Sequence, residues 1–191
     1  MGTKMKRIIL FLSAIIFSGI IFNGCKKGKD DPFISLYSRN HRLMHKWKLI
    51  KIARTDVSNF SQQQTTTVTF DGTTYTSTSS LGGSVSATGT YEMTIDKQGA
   101  VSWSSTYTQT APTSGTADIR TGTSTWEWLG DNKNKDQLII SGGGSLFSGG
   151  QYYIDELKNK ELILKRNSTS TVTGSTTITN SNDDTYTFTK E

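Results

Sequence analysis

Apolar and polar residues change their spacing twice along this chain. Ile8 to Phe22 is an apolar run of 15 residues behind the basic opening of Lys4, Lys6 and Arg7. A membrane-spanning helix needs about 20 such residues, so the run reads as the core of an export signal. Between Asp31-Pro32 and His45 the apolar positions Leu36, Leu43 and Met44 predict one short helix over 34–45. Beyond it the period drops to two. Thr67-Val68-Thr69-Phe70, Tyr91-Glu92-Met93-Thr94-Ile95, Trp126-Glu127-Trp128 and Tyr186-Thr187-Phe188-Thr189 all alternate, as half-buried strands do. Further strands are predicted over 46–53, 73–78, 100–108, 137–141, 151–157, 161–165 and 169–179. The breaks carry turn chemistry: Asp71-Gly72, Gly82-Gly83, Asp96-Lys97-Gln98-Gly99, Gly142-Gly143-Gly144, Lys158-Asn159-Lys160 and Asn180-Ser181-Asn182-Asp183. About ten short strands joined by hairpins form a meander that folds into a sandwich or closes, and closure removes the exposed edges. The expected fold class is all-β, an antiparallel up-and-down barrel preceded by one short helix.

Composition narrows the class further. Only 33% of the 191 residues are hydrophobic and two are proline, while Thr, Ser and Gly abound and strong helix formers are scarce. A helical bundle, a coiled coil and a doubly wound α/β enzyme are thereby excluded. With 19% charged and 10% aromatic residues the chain can still close around one core.

Removal of residues 1–24 leaves 167 residues, with 18 basic against 16 acidic side chains. A net charge of +2 offers no clustered basic face, so no nucleic-acid partner is expected. The charge is uneven, however. Lys26 to Arg54 carries nine basic residues against Asp30 and Asp31, and the rest carries nine basic against fourteen acidic. A basic stretch beside a lipid anchor can lean on anionic headgroups, or it can simply solubilise a tether.

The apolar run ends in Asn23-Gly24-Cys25, and Cys25 is the only cysteine. A lone exported cysteine has no internal disulfide partner and suits lipid attachment. Gly24-Cys25 resembles the bacterial lipobox, in its looser Bacteroidota form, where the cysteine is acylated and becomes the mature N-terminus. Two acyl chains suffice as an anchor, since each buried methylene contributes ~0.8 kcal/mol. The expected organisation is a lipoprotein signal peptide over 1–24, a lipidated polar tether over 25–34, and one barrel domain over 35–191. Within the tether, Lys29-Asp30-Asp31 is similar to the acidic export tags of Bacteroidota surface lipoproteins, and equally reads as a solvated spacer.

In the domain, His45-Lys46-Trp47-Lys48-Leu49-Ile50 resembles the Gly-Lys-Trp-Lys-Leu opening of the lipocalin-like domains of Bacteroidota lipoproteins, with His45 in place of the glycine. Tyr152 to Leu157 followed by Glu161 to Leu164, and the closing Thr185 to Lys190, are similar to the same family. The resemblance spans about residues 35 to 190. It implies a lipocalin-like, calycin-type barrel with Trp47 as a plug at its base, on an outer-membrane lipoprotein facing the periplasm or the exterior. It implies no reaction.

Candidate chemistry is sparse. His41 and His45 have the four-residue spacing of a helical metal pair, but the chain holds no third histidine and only the lipobox cysteine. There is no Gly-x-Ser-x-Gly elbow, and Ser141-Gly142-Gly143-Gly144-Ser145 lacks the lysine and helix of a phosphate loop. No enzyme, metal or cofactor is expected. The aromatic residues remain. Tyr91, Trp103, Trp126, Trp128 and Tyr153 read as core on the apolar phase of their strands, or as the lining of a cavity mouth for a small apolar or amphipathic ligand, with Trp126 and Trp128 foremost. The leading expectation is a lipid-anchored binding module. The alternative is a structural lipoprotein with a packed barrel that acts through an envelope protein partner.

Overall fold

The computed structural model describes residues 38–59, 62–129, 135–173 and 177–191. The signal segment, Cys25 and the 25–34 tether lie outside the described residues. Among the described residues one helix, α1 (Arg39–Leu43), precedes ten strands: β1 (Lys46–Asn59), β2 (Gln63–Phe70), β3 (Thr74–Ser79), β4 (Ser84–Ile95), β5 (Ala100–Ala111), β6 (Asp118–Trp128), β7 (Gln137–Ile140), β8 (Gly150–Leu157), β9 (Glu161–Thr173) and β10 (Thr177–Lys190). Each strand pairs antiparallel with the next, and β1 pairs with β10 to close an up-and-down barrel. Among the described residues, the expected all-β barrel class with one short helix is therefore what the chain adopts.

Two boundaries differ from the sequence reading. Within the described residues α1 has only five residues, held by Ser38, whose hydroxyl accepts from the His41 amide at 3.2 Å. A helix so short has no intrinsic stability and is fixed by packing. The segment 169–179 is not one strand: it covers the end of β9 and the start of β10. Asn180-Ser181-Asn182-Asp183, read as a turn, runs extended inside β10 and pairs with β9 and β1 throughout. Asn and Asp are poor strand formers, and they are accommodated here because alternate ones face a polar interior.

Helix α1 marks the closed end of the barrel. There the indole of Trp47 is fully buried and donates to the Leu43 carbonyl at 2.8 Å, and the Arg42 guanidinium donates to the Leu157 carbonyl at 2.6 Å. β1 shifts register between Leu49 and Lys51, and its first three residues leave β2 to pair with β4. The β2–β3 hairpin ends beside this bend. A Cβ on Gly72, whose φ is +99°, would lie 3.4 Å from the Ile50 carbonyl oxygen, so the turn needs glycine for its backbone and for its closeness.

Directly paired residues share a face, so the interior reads as successive belts. Nearest the closed end, Leu49, Phe188, Leu162 and Leu157 meet, and above them Phe70, Ile52, Tyr186 and Leu164. All eight are buried. The next belt, Val68, Arg54, Asp184 and Arg166, changes character. Above it come Thr66, Asp56, Asn182 and Ser168, then Gln64, Ser58, Asn180 and Ser170 at the open end. Along β1, β2, β9 and β10 the interior is apolar toward one end and polar toward the other.

The connection between β7 and β8 folds into this interior. Leu146 and Phe147 are buried, and the Phe147 ring lies 5.0–5.5 Å from those of Tyr91, Tyr152, Tyr186 and Phe188. The segment with Gly142-Gly143-Gly144, expected as a simple break between strands, is a strap. Its glycines permit backbone approach that a side chain would block: a Cβ on Gly143 would sit 2.1 Å from the Phe147 carbonyl oxygen.

Candidate functional site

The site grows out of the belt in which β1, β9 and β10 change polarity together. Along the inward phase of β1, Ile52 is followed by Arg54, Asp56 and Ser58; along β9, Leu164 by Arg166 and Ser168; along β10, reading upward, Tyr186 by Asp184 and Asn182. Asp184 is fully buried, and a buried carboxylate is tolerated only when paired. Arg166 provides the pair: its Nε donates to Asp184 Oδ2 at 2.9 Å and its second guanidinium nitrogen donates to the same oxygen. The guanidinium lies over the Tyr152 ring, 5.5 Å from the centroid, which adds a cation–π contact. On the other side Arg54 Nε stands 3.0 Å from Asp56 Oδ2 and 3.9 Å from Asp184 Oδ1.

Two arginines and two aspartates thus balance in charge but not in hydrogen bonds. Asp56 Oδ1, Asp184 Oδ1 and Arg54 Nε between them are buried atoms without a hydrogen-bond partner. Such atoms are uncommon and costly, and mark places where a polar partner is wanted. Below them Tyr152 and Tyr186 remain protonated well above the ordinary phenol range, chiefly because burial disfavours the phenolate.

Above this floor the barrel opens into a cup of about 430 Å³, lined by Asp56, Val57, Ser58, Gln64, Thr66, Ser168, Ser170, Asn180 and Asn182. Hydroxyls, amides and one carboxylate make the lining rich in both donors and acceptors. The arrangement can orient a small ligand carrying hydroxyl, amide or amine groups.

The aromatic candidates lie elsewhere. Tyr91 is buried and Trp103 stacks beside it with centroids 6.4 Å apart and planes at 16°. Trp103 lies over Gly122, where a Cβ would come within 2.6 Å of the ring. Trp126 and Trp128 meet edge to face at 5.6 Å, and their position corrects the expectation that they line the mouth. They sit at the closed end, because β6 ends there: Trp126 Nε1 donates to the Asp96 carbonyl at 2.8 Å, and Trp128 Nε1 to Asn40 Oδ1 of α1 at 3.0 Å. The phase of Tyr153 is likewise corrected. It is 48% exposed on the outer face, while its neighbour Tyr152 is the inward residue. The pairing of β8 with β7, which sets Tyr152 opposite buried Leu138, fixes that phase, and Tyr152-Tyr153 alone offers no way to choose between them.

The cup residues escaped the sequence reading because polar side chains were assigned to the outside of every strand. A signal was present: in all three strands an apolar inward series changes to charged and then small polar residues at the same height. No family model matches the chain, and no curated protein or solved structure matches it.

Proposed function

We propose that this chain is a lipid-anchored outer-membrane lipoprotein whose lipocalin-like barrel binds a small polar or amphipathic ligand at its open end. The observation that carries the reading is the polar cup above two buried carboxylate oxygens, Asp56 Oδ1 and Asp184 Oδ1, that lack donors. A ligand bearing hydroxyl or amine groups supplies them, while the surrounding amides and hydroxyls of β1, β2, β9 and β10 fix its orientation. The apolar half beneath is filled by Phe147 and its ring neighbours, so a ligand's apolar part has room only if the strap moves. Attachment rests on the signal pattern and Cys25. The described chain enters the barrel at its closed end, opposite the cup.

A second reading has its own support. Leu81, Ile119 and Val172, all near the open end of the barrel, are exposed apolar residues, as a rim that meets an envelope protein would have.

Isothermal titration of the full-length chain in neutral detergent with oligosaccharides, amino sugars, polyamines and fatty acids separates the two. The binding reading expects saturable uptake of a hydroxyl- or amine-bearing compound, weakened about tenfold or more by Asp56→Asn, the worth of one charge-assisted hydrogen bond. Fatty-acid binding indifferent to Asp56, or no binding by any compound, overturns the polar-cup reading; the latter favours the protein-contact reading. Cys25→Ser is expected to move the protein out of the outer-membrane fraction.

A further inference from the structure

The closed end carries a second cleft, of about 770 Å³, at the opposite end of the barrel from the cup. Its ionisable side chains are His41 and Arg42 of α1, His45 just after it, Lys160 in the β8–β9 turn, and Lys190 and Glu191 at the end of the chain. Five are basic and one is acidic. The acid is already engaged, since Glu191 lies 2.5 Å from Lys46 Nζ and 4.0 Å from Lys48 Nζ.

Within the cleft the basic groups converge. Lys190 Nζ stands 3.1 Å from His45 Nε2, and the His41 and His45 rings are 5.7 Å apart between centroids. The backbone ties the other wall to the same place: the Lys190 amide donates to the Lys160 carbonyl at 3.0 Å, and the Thr189 hydroxyl donates to that oxygen at 3.3 Å. An ammonium that meets a ring nitrogen at 3.1 Å requires that nitrogen to be the unprotonated acceptor of a neutral imidazole. Protonation of His45 turns the acceptor into a donor, so Lys190 and His45 then both present N–H groups and repel each other. An oxyanion seated between them removes the repulsion and accepts from both.

We propose that this closed-end cleft binds a phosphate group, free or carried on a phospholipid headgroup, through Lys190, Lys160 and the His41 and His45 imidazoles. Lysines serve as point charges on such an oxyanion and protonated imidazoles add directed donors. The groups that face His45 set its titration in the empty cleft. Burial first, then Lys190 and His41, hold its pKa below the ordinary histidine range, and Arg42, Lys160 and Glu191 complete the rim. An anion reverses the effect of the cationic neighbours, so binding takes up a proton at His45. Affinity therefore strengthens as the pH falls through the histidine range, by up to about tenfold per pH unit for one proton.

The chain has only two histidines, so ring-nitrogen NMR of the full-length protein in neutral-detergent micelles reads the cleft directly. Inorganic phosphate is titrated first, then sulfate at several pH values because its charge stays constant there, and then micelles doped with phosphatidylglycerol. Saturable shifts of both imidazoles are expected with phosphate and sulfate, tighter at lower pH. Loss of one charge-assisted contact in Lys160→Ala or in Lys190→Ala weakens the affinity about tenfold or more. Lys160 lies in a turn, so its variant tests the site even if Lys190→Ala perturbs the end of β10. Equal shifts with phosphatidylglycerol identify the headgroup as the source of the phosphate, and shifts with phosphate alone identify a soluble one. Imidazoles that stay unshifted in every titration, or shifts that neither lysine variant weakens, overturn the proposal.

Discussion

Phe147→Ala is the most direct probe of how this barrel is filled. Phe147 has no exposed surface, and four aromatic rings, those of Tyr91, Tyr152, Tyr186 and Phe188, stand 5.0–5.5 Å from its own. A buried aromatic side chain removes roughly 200 Å² from water, and at ~25 cal/mol/Å² the transfer contribution is at most about 5 kcal/mol. Alanine keeps part of that contact, while the void left among four rings adds to the loss. The expected destabilisation is about 3–5 kcal/mol, a large fraction of the ~5–15 kcal/mol that a domain has in total. Urea unfolding followed by far-UV circular dichroism measures it, with an unchanged slope showing that the folded and unfolded states keep their compactness. Because the void is apolar and ring-sized, the variant should also take up benzene, and stability should recover as benzene is added. A loss below about 1 kcal/mol with no response to benzene would refute the placement of Phe147 in the interior, since a ring so enclosed cannot be removed that cheaply.

Other predictions test separate parts of the molecule. Gly143→Ala places a Cβ 2.1 Å from the Phe147 carbonyl oxygen, so the strap should open, and faster amide exchange over residues 141–149 would register it. Asp184→Ala leaves half-buried Arg166 over Tyr152 without its carboxylate, and chemical denaturation should show a loss of about 1–3 kcal/mol; the Asp184→Leu, Arg166→Leu double variant should recover most of it. Gly122→Ala pushes a methyl group to within 2.6 Å of the Trp103 ring and is expected to cost about 1–3 kcal/mol, with a shifted tryptophan emission; a neutral effect would mean the ring does not lie over residue 122. In alkali, Tyr91, Tyr152 and Tyr186 stay protonated in the barrel because burial raises their pKa values, whereas the unfolded chain ionises near pH 10. The folded state then holds the extra protons, so stability is complete below about pH 10 and falls above it by up to about 1.4 kcal/mol per pH unit for each group. Their phenolate absorbance should appear together with loss of the β-sheet signal; smooth ionisation of all three in the intact barrel would contradict the burial.

The sequence by itself determined the class of fold and most of its strands. Period-two alternation in Tyr91 to Ile95 and Tyr186 to Thr189 is a local property of extended chain with one wet face, and hairpin turns such as Asp96 to Gly99 write their own geometry. It did not determine what the interior contains. Whether Tyr152 or Tyr153 points inward depends on the register of β8 against β7, and a one-residue slip exchanges the two faces. Polar alternation in Asn180, Asn182 and Asp184 looks the same locally whether those residues meet solvent or one another. Only closure of the barrel brings Arg54, Asp184 and Arg166 to one height, from strands that are distant in sequence and adjacent in space. Closure likewise carries the Gly-flanked Leu146-Phe147 into the place an apolar ligand would need, and brings Lys190 beside His45, 145 residues away. Strand identity is encoded by neighbours along the chain, but the filling of the barrel, its polar cup and its basic cleft depend on contacts between distant segments, which no local pattern specifies.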